Sequence, residues 1–96
     1  MASYSALAGE RLTLSKEMLT TDSILLVMGW TKIAEDNDPE ANQAFIQDNK
    51  LISLPAGTVI FVEMDNNIWH YVEIRVKGTT KPLYLPYRSF HEIYPG

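Results

Sequence analysis

The chain has 96 residues, 46% of them hydrophobic and 21% charged, which suits one domain with one core and excludes global disorder. A net charge of -4 argues against a dedicated nucleic-acid binder, which normally carries a basic excess. With no cysteine there is no disulfide, no cysteine-based zinc site and no thiol chemistry.

Met1-Ala2-Ser3-Tyr4-Ser5 lacks a charged segment leading into an apolar run, so it does not read as a secretory signal. Residues 1–9 read as a frayed start. Arg11-Leu12-Thr13-Leu14-Ser15 alternates like a strand half in water. Residues 16–22 fit either a short helix or a turn. The first 22 residues are therefore set apart as an N-terminal extension that can add a strand, and 23–96 form the main domain.

Ile24-Leu25-Leu26-Val27-Met28 is the longest apolar run. It falls far below the ~20 residues of a membrane span, so no membrane partner is expected and the protein reads as soluble and cytoplasmic. The run is also short for a helix, which points to a buried strand with Gly29 as a bulge. Glu35-Asp36-Asn37-Asp38-Pro39-Glu40 opens a long acidic loop. Within it Asp38-Pro39 has the form of an N-cap and first helical position. Ala41, Ala44 and Phe45 share one helical face, and Asn49 ends a short helix.

From Leu51 the pattern is strongly β. Leu51–Leu54 leads into a Pro55-Ala56-Gly57 turn, and Thr58–Met64 is rich in β-branched residues. Asp65-Asn66-Asn67 reads as a tight turn. Ile68–Lys77 then alternates. Ile68, His70, Val72, Ile74 and Val76 fall on one face, and Trp69, Tyr71, Glu73, Arg75 and Lys77 on the other. Gly78-Thr79-Thr80 turns the chain, Pro82–Leu85 is the last strand, and Pro86 stops it before a helical turn over Tyr87–Phe90. Short strands with turns between them predict a mainly β fold closed as a small barrel.

The order of these pieces over residues 24–93 resembles the Src-homology-3-like barrel in its divergent bacterial form. The likeness is carried by Ile24–Met28 before a long acidic loop, by Leu54-Pro55-Ala56-Gly57-Thr58-Val59, by Trp69 after a polar turn, and by Tyr84-Leu85-Pro86-Tyr87-Arg88-Ser89-Phe90. The resemblance implies an aromatic groove at Trp69, Pro86 and Phe90, with Glu35, Asp36 and Asp38 pairing to a basic ligand. Flat aromatics grip an extended peptide at low entropic cost. Leu26-Val27-Met28-Gly29-Trp30 replaces the family's Ala-Leu-Tyr-Asp-Tyr, and Phe90 offers no hydroxyl, so a target other than a proline-rich peptide is expected.

Trp69, Tyr71, Tyr84 and Tyr87 suit either an exposed binding patch or barrel ends and seams. The acids Glu35, Asp36, Asp38, Glu40 and Asp48 lack the glycine and distal glutamate of a calcium loop, and read as a solvated loop. Arg75, Lys77, Lys81 and Arg88 can form a basic stripe or ordinary strand charges. His70 and His91 are the two histidines, and a zinc site needs a third ligand. Ser53 and Ser89 have no nucleophile elbow, and there is no glycine-rich phosphate loop. No catalytic residue, metal or cofactor is implied. The expectation is a non-catalytic module that binds a protein or peptide through Trp69, Tyr71, Pro86, Tyr87 and Phe90 with Glu35, Asp36 and Asp38. The alternatives are a small inhibitor or accessory protein that blocks its partner, and a single-strand nucleic-acid barrel. A homo-oligomer is left open.

Overall fold

Two segments far apart in sequence lie antiparallel and hold the fold together. In the computed structural model, which describes residues 9–66 and 68–94, β1 (Arg11–Thr13) pairs with β4 (Val59–Asn66), and β2 (Met18–Thr20) pairs with β3 (Ile52–Leu54). The frayed start lies outside the described residues except for Gly9, as does Asn67 of the expected turn. Leu12 sits opposite Ile60 and Met18 opposite Leu54, six residues on along each segment, so the two ladders share one register. Between them Leu14 donates to the Thr58 carbonyl and Gly57 donates back to Leu14. Gly57 has φ +92, a left-handed turn conformation that glycine adopts without strain. The alternation of strands then puts Leu14, Met18 and Thr20 inward, facing Ile60 and Val62. Residues 11–20 are thus woven into the sheet and the core.

β5 (Tyr71–Val76) pairs with β4, and β6 (Leu83–Pro86) pairs with β5. The β4–β5 register shifts between Val62 and Met64, so that Val62 opposes Ile74 but Asp65 opposes Val72. The extra residue reverses which side of β4 faces in. Asp65 is therefore turned into the interior, where a continued alternation would have exposed it. Asp65 and Asn66, read as a turn from sequence, belong to the strand.

Three helices complete the described residues. α1 (Ile24–Glu35) replaces the buried strand expected at Ile24–Met28, and Gly29 is an ordinary helical residue within it, not a bulge. The Ser23 hydroxyl accepts from the Leu26 amide, and Thr21 accepts from the Ser23 amide, which starts the helix. Val27, Trp30, Thr31 and Ala34 recur at helical spacing, and the first three are buried. α2 (Pro39–Asp48) forms as read, with the Asp38 carboxylate accepting from the Glu40 and Ala41 amides. Asn49 ends it by donating to the Phe45 carbonyl. α2 is held to α1 by a stack of Phe45 on Trp30 (5.6 Å between centroids, 19° between planes) and by the Trp30 indole N–H donating to Asn42 Oδ1 at 3.1 Å. α3 (Tyr87–Ile93) extends the expected turn to seven residues.

The result is a small β-rich domain with six strands and three helices among the described residues. Its strands form a four-stranded sheet, ordered β1-β4-β5-β6, and a two-stranded sheet, linked by one bridge between Thr21 and Tyr84. They do not close a barrel, because β6 and β2 meet at that bridge alone. Instead α3 lies across the open side: the Tyr87 amide donates to the His70 carbonyl at 2.8 Å, and the Tyr94 hydroxyl donates to the Thr13 carbonyl at 2.9 Å. The core runs from Leu14 and Met18 through Val27 and Trp30 to Ile74, Leu85 and Phe90. Among the described residues no helix is long and apolar enough to cross a membrane.

Candidate functional site

Trp69 stands on the turn that enters β5, not within the strand. Ile68 is 76% and Trp69 59% exposed. His70 follows with φ +63, a left-handed conformation uncommon in a residue with a side chain. That kink breaks the alternation expected from Ile68, so His70 is exposed, not on the apolar face. The turn is braced on two sides. His70 Nδ1 lies 3.3 Å from Glu35 Oε2 at the end of α1, and the His70 carbonyl accepts from Tyr87 at the start of α3.

The other aromatic positions are not on this surface. Tyr71 is buried and meets Tyr84 edge-on, with centroids 5.9 Å apart. Pro86 and Phe90 are fully buried, and Phe90 is part of the core. Tyr87 is half-buried beside the His91 ring (4.4 Å). The groove of Trp69, Pro86 and Phe90 therefore does not form. β6 and α3 close the gap between sheet edges and spend their aromatics on packing.

The acids Glu35, Asp36 and Asp38 are exposed and gather where α1 gives way to α2. Asp36 is the C-cap of α1, Asp38 is the N-cap of α2, and Glu40 lies in the first turn, where a carboxylate suits the helix dipole. Trp69 is thus tied to this acidic corner through the His70–Glu35 contact.

Sequence reasoning missed the outer face of α1. Ile24 is 43%, Leu25 79% and Met28 42% exposed. Met28 lies seven residues before Glu35, about 10 Å along the helix axis, and Glu35 in turn meets the Trp69 turn through His70. The signal was available in Ser23 as an N-cap and in the spacing of Val27, Trp30, Thr31 and Ala34. Once that inner face is assigned, Leu25 and Met28 fall outside.

Three of the remaining candidates, Arg75, Lys81 and His91, have structural partners. Arg75 lies 3.4 Å from Glu63 and 4.9 Å over the Phe61 ring, and Lys81 is 2.8 Å from Asp22. The hydrogen bond and then the charge of Lys81 hold the Asp22 carboxyl below its ordinary range. Arg75 stands on β5 and Arg88 on α3. His91 Nε2 is 3.0 Å from both oxygens of the buried Asp65, and Nδ1 is 2.8 Å from the Tyr94 carbonyl. This pair fastens β4 to α3. Both ring nitrogens are engaged, one by the Asp65 carboxylate and one by the Tyr94 carbonyl, which fixes the ring between β4 and the end of α3. Among the described residues no group of three or more His, Asp or Glu could hold a metal ion. No family model matches the chain, and no curated protein or solved structure is detectably similar to it.

Proposed function

We propose that the protein is a non-catalytic interaction module that docks a protein partner on Ile68, Trp69 and the outer face of α1, with the acidic corner of Glu35, Asp36 and Asp38 as its rim. The observation that carries this reading is the exposure of five large apolar side chains, Ile24, Leu25 and Met28 on α1 and Ile68 and Trp69 on the turn that Glu35 of α1 meets through His70. A helix apolar on its outer as well as its inner face calls for a cover. Tryptophan at the centre of such a patch is the residue type most often found to anchor an interface.

The partner this surface suits has an apolar centre and basic edges. Acidic side chains border the patch and the chain carries a net charge of -4, so attraction of a basic surface speeds encounter and fixes orientation. In this reading the protein works in the cytoplasm by occupying a partner's surface, which includes blocking it. The two linked sheets and α3 are taken as an open, divergent relative of the Src-homology-3-like barrel, in which α1 has replaced the first strand and moved the binding surface away from the usual groove. The Leu54–Val59 strand-turn-strand and the Pro86-initiated helix support that kinship.

The test is affinity capture with wild type and with Trp69→Ala and Leu25→Ser/Met28→Ser variants as parallel baits. A protein held by wild type, lost by the folded variants and released as salt rises is the expected result. The same proteins retained by all three baits would remove the patch from the interface.

A further inference from the structure

A groove runs between α2 and the body of the domain and meets the acidic rim of the docking surface at Asp38. One end is a recess of about 280 Å³ whose apolar wall is Met18, Leu19, Trp30, Ile46, Leu85 and Ile93. The other end is a recess of about 210 Å³ beside Asn37, Pro39 and Arg88. Asn42, Ser89 and Glu92 line both, so the two recesses adjoin at these three residues.

The charges along the groove differ in whether they are already engaged. The Asp38 carboxylate holds the first amides of α2, and Glu17 accepts from the Ser53 hydroxyl. Asn42 Oδ1 accepts from the Trp30 indole, which fixes its amide and leaves the NH₂ as a donor. Lys16, at the apolar recess, and Arg88 and Glu92, one turn apart on α3, are different. Among the described residues none of the three has a charged partner within 4.0 Å, and of them Arg88 and Glu92 are the neighbours of opposite sign. At that spacing the side chains start about 5–6 Å apart. A cation and an anion at exposed positions therefore stand one turn apart on α3, where Glu92, Asn42 and Ser89 line the apolar recess and Arg88 lines the adjoining one.

We infer that this groove binds a free α-amino acid with an apolar side chain. Its carboxylate meets the planar fork of Arg88, a bidentate match. Its ammonium meets Glu92, and its side chain enters the recess against Trp30, Ile46 and Ile93. A simple carboxylate would leave Glu92 facing an apolar group and a simple amine would do the same to Arg88, so the pair selects the zwitterion. The apolar recess is slightly below the ~300–1,000 Å³ of drug-sized sites, which suits a side chain the size of leucine or phenylalanine.

The experiment is isothermal calorimetry of the full chain with L-leucine and L-phenylalanine, and with glycine, 4-methylpentanoate and 3-methylbutylamine as partial ligands. Saturable heat is expected with leucine or phenylalanine and not with the three partial ligands. Arg88→Gln and Glu92→Gln, both at exposed positions, should each weaken binding roughly 10- to 100-fold, the value of one charge-assisted hydrogen bond. Ile46→Trp, which fills the recess, should abolish it. Absence of heat with either amino acid up to about 10 mM would overturn the inference. So would equal binding of the acid or amine alone, loss in Lys16→Gln in place of Arg88→Gln, or unchanged binding in Ile46→Trp.

Discussion

Asp65 shows how one inserted residue can decide where a charge goes. The bulge in β4 turns its carboxylate inward, and His91 meets both oxygens at 3.0 Å. Removing one partner from a buried pair leaves the other charge uncompensated. His91→Ala should therefore cost about 3–5 kcal/mol in urea unfolding. The double variant Asp65→Leu/His91→Leu should cost much less than the single, since no charge is then stranded. A His91→Ala loss below ~1 kcal/mol would show that the pair is solvated. Gly29 is the opposite case. It lies on the exposed side of α1, and a Cβ there would meet nothing within 4 Å. Gly29→Ala should raise stability by about 0.5–1 kcal/mol, read as a higher denaturation midpoint. Trp69 is more than half exposed, so Trp69→Ala should cost less than the ~3–5 kcal/mol of truncating a buried tryptophan, and an unchanged far-UV circular dichroism spectrum should show that the variant still folds.

Among the elements, α2 depends on few contacts. None of its residues is buried, and Phe45 stacked on Trp30 is its main apolar anchor. Phe45→Ala should loosen α2 at a cost of roughly 2 kcal/mol, below the 3–5 of a fully buried phenylalanine. Red-shifted indole emission should accompany it as Trp30 becomes wet; an unchanged spectrum would mean that α2 is held by other contacts. α2 was legible in sequence because Asp38-Pro39 and Asn49 mark its ends by local chemistry alone. β4 and β6 were legible because β-branched runs and bounding turns are local too. α1 was not. Gly29 and a short apolar run suggested a strand, while the deciding facts were a cap at Ser23 and a face that continues past the glycine to Ala34. The side taken by Tyr71 was hidden for another reason. His70 adopts a positive φ in a turn braced by Glu35 and Tyr87, both distant in sequence. The groove implied by resemblance failed likewise, since burial of Pro86 and Phe90 follows from where α3 crosses the sheet.

For the whole molecule, alkaline pH probes how tightly the sheets and α3 are joined. Burial pushes the phenols of Tyr84 and Tyr94 up from their ordinary value, with the charge of Glu73 adding to the effect at Tyr84. Below the unfolded-state value of about 10 both states keep the proton and stability is complete. Above it the unfolded chain ionises first, so stability falls until the folded phenols ionise as well. The urea midpoint should hold steady to about pH 9 and drop by about pH 11. Tyr94→Phe, which also loses the bond to Thr13, should start lower and fall less. At the acid end Asp22, held down by Lys81, has the reverse dependence, with its contribution present above the ordinary carboxylate range and lost as pH falls; being exposed, it contributes little.

The surface as a whole joins an apolar patch to an acidic corner, and the central claim is that this patch is where the molecule works. The most direct measurement is capture from native lysate on wild type beside folded Trp69→Ala and Leu25→Ser/Met28→Ser variants. A protein retained by wild type, absent from both variants and weakened by added salt is the predicted result. Equal retention by the variants, or no specific retention by any bait, would contradict it.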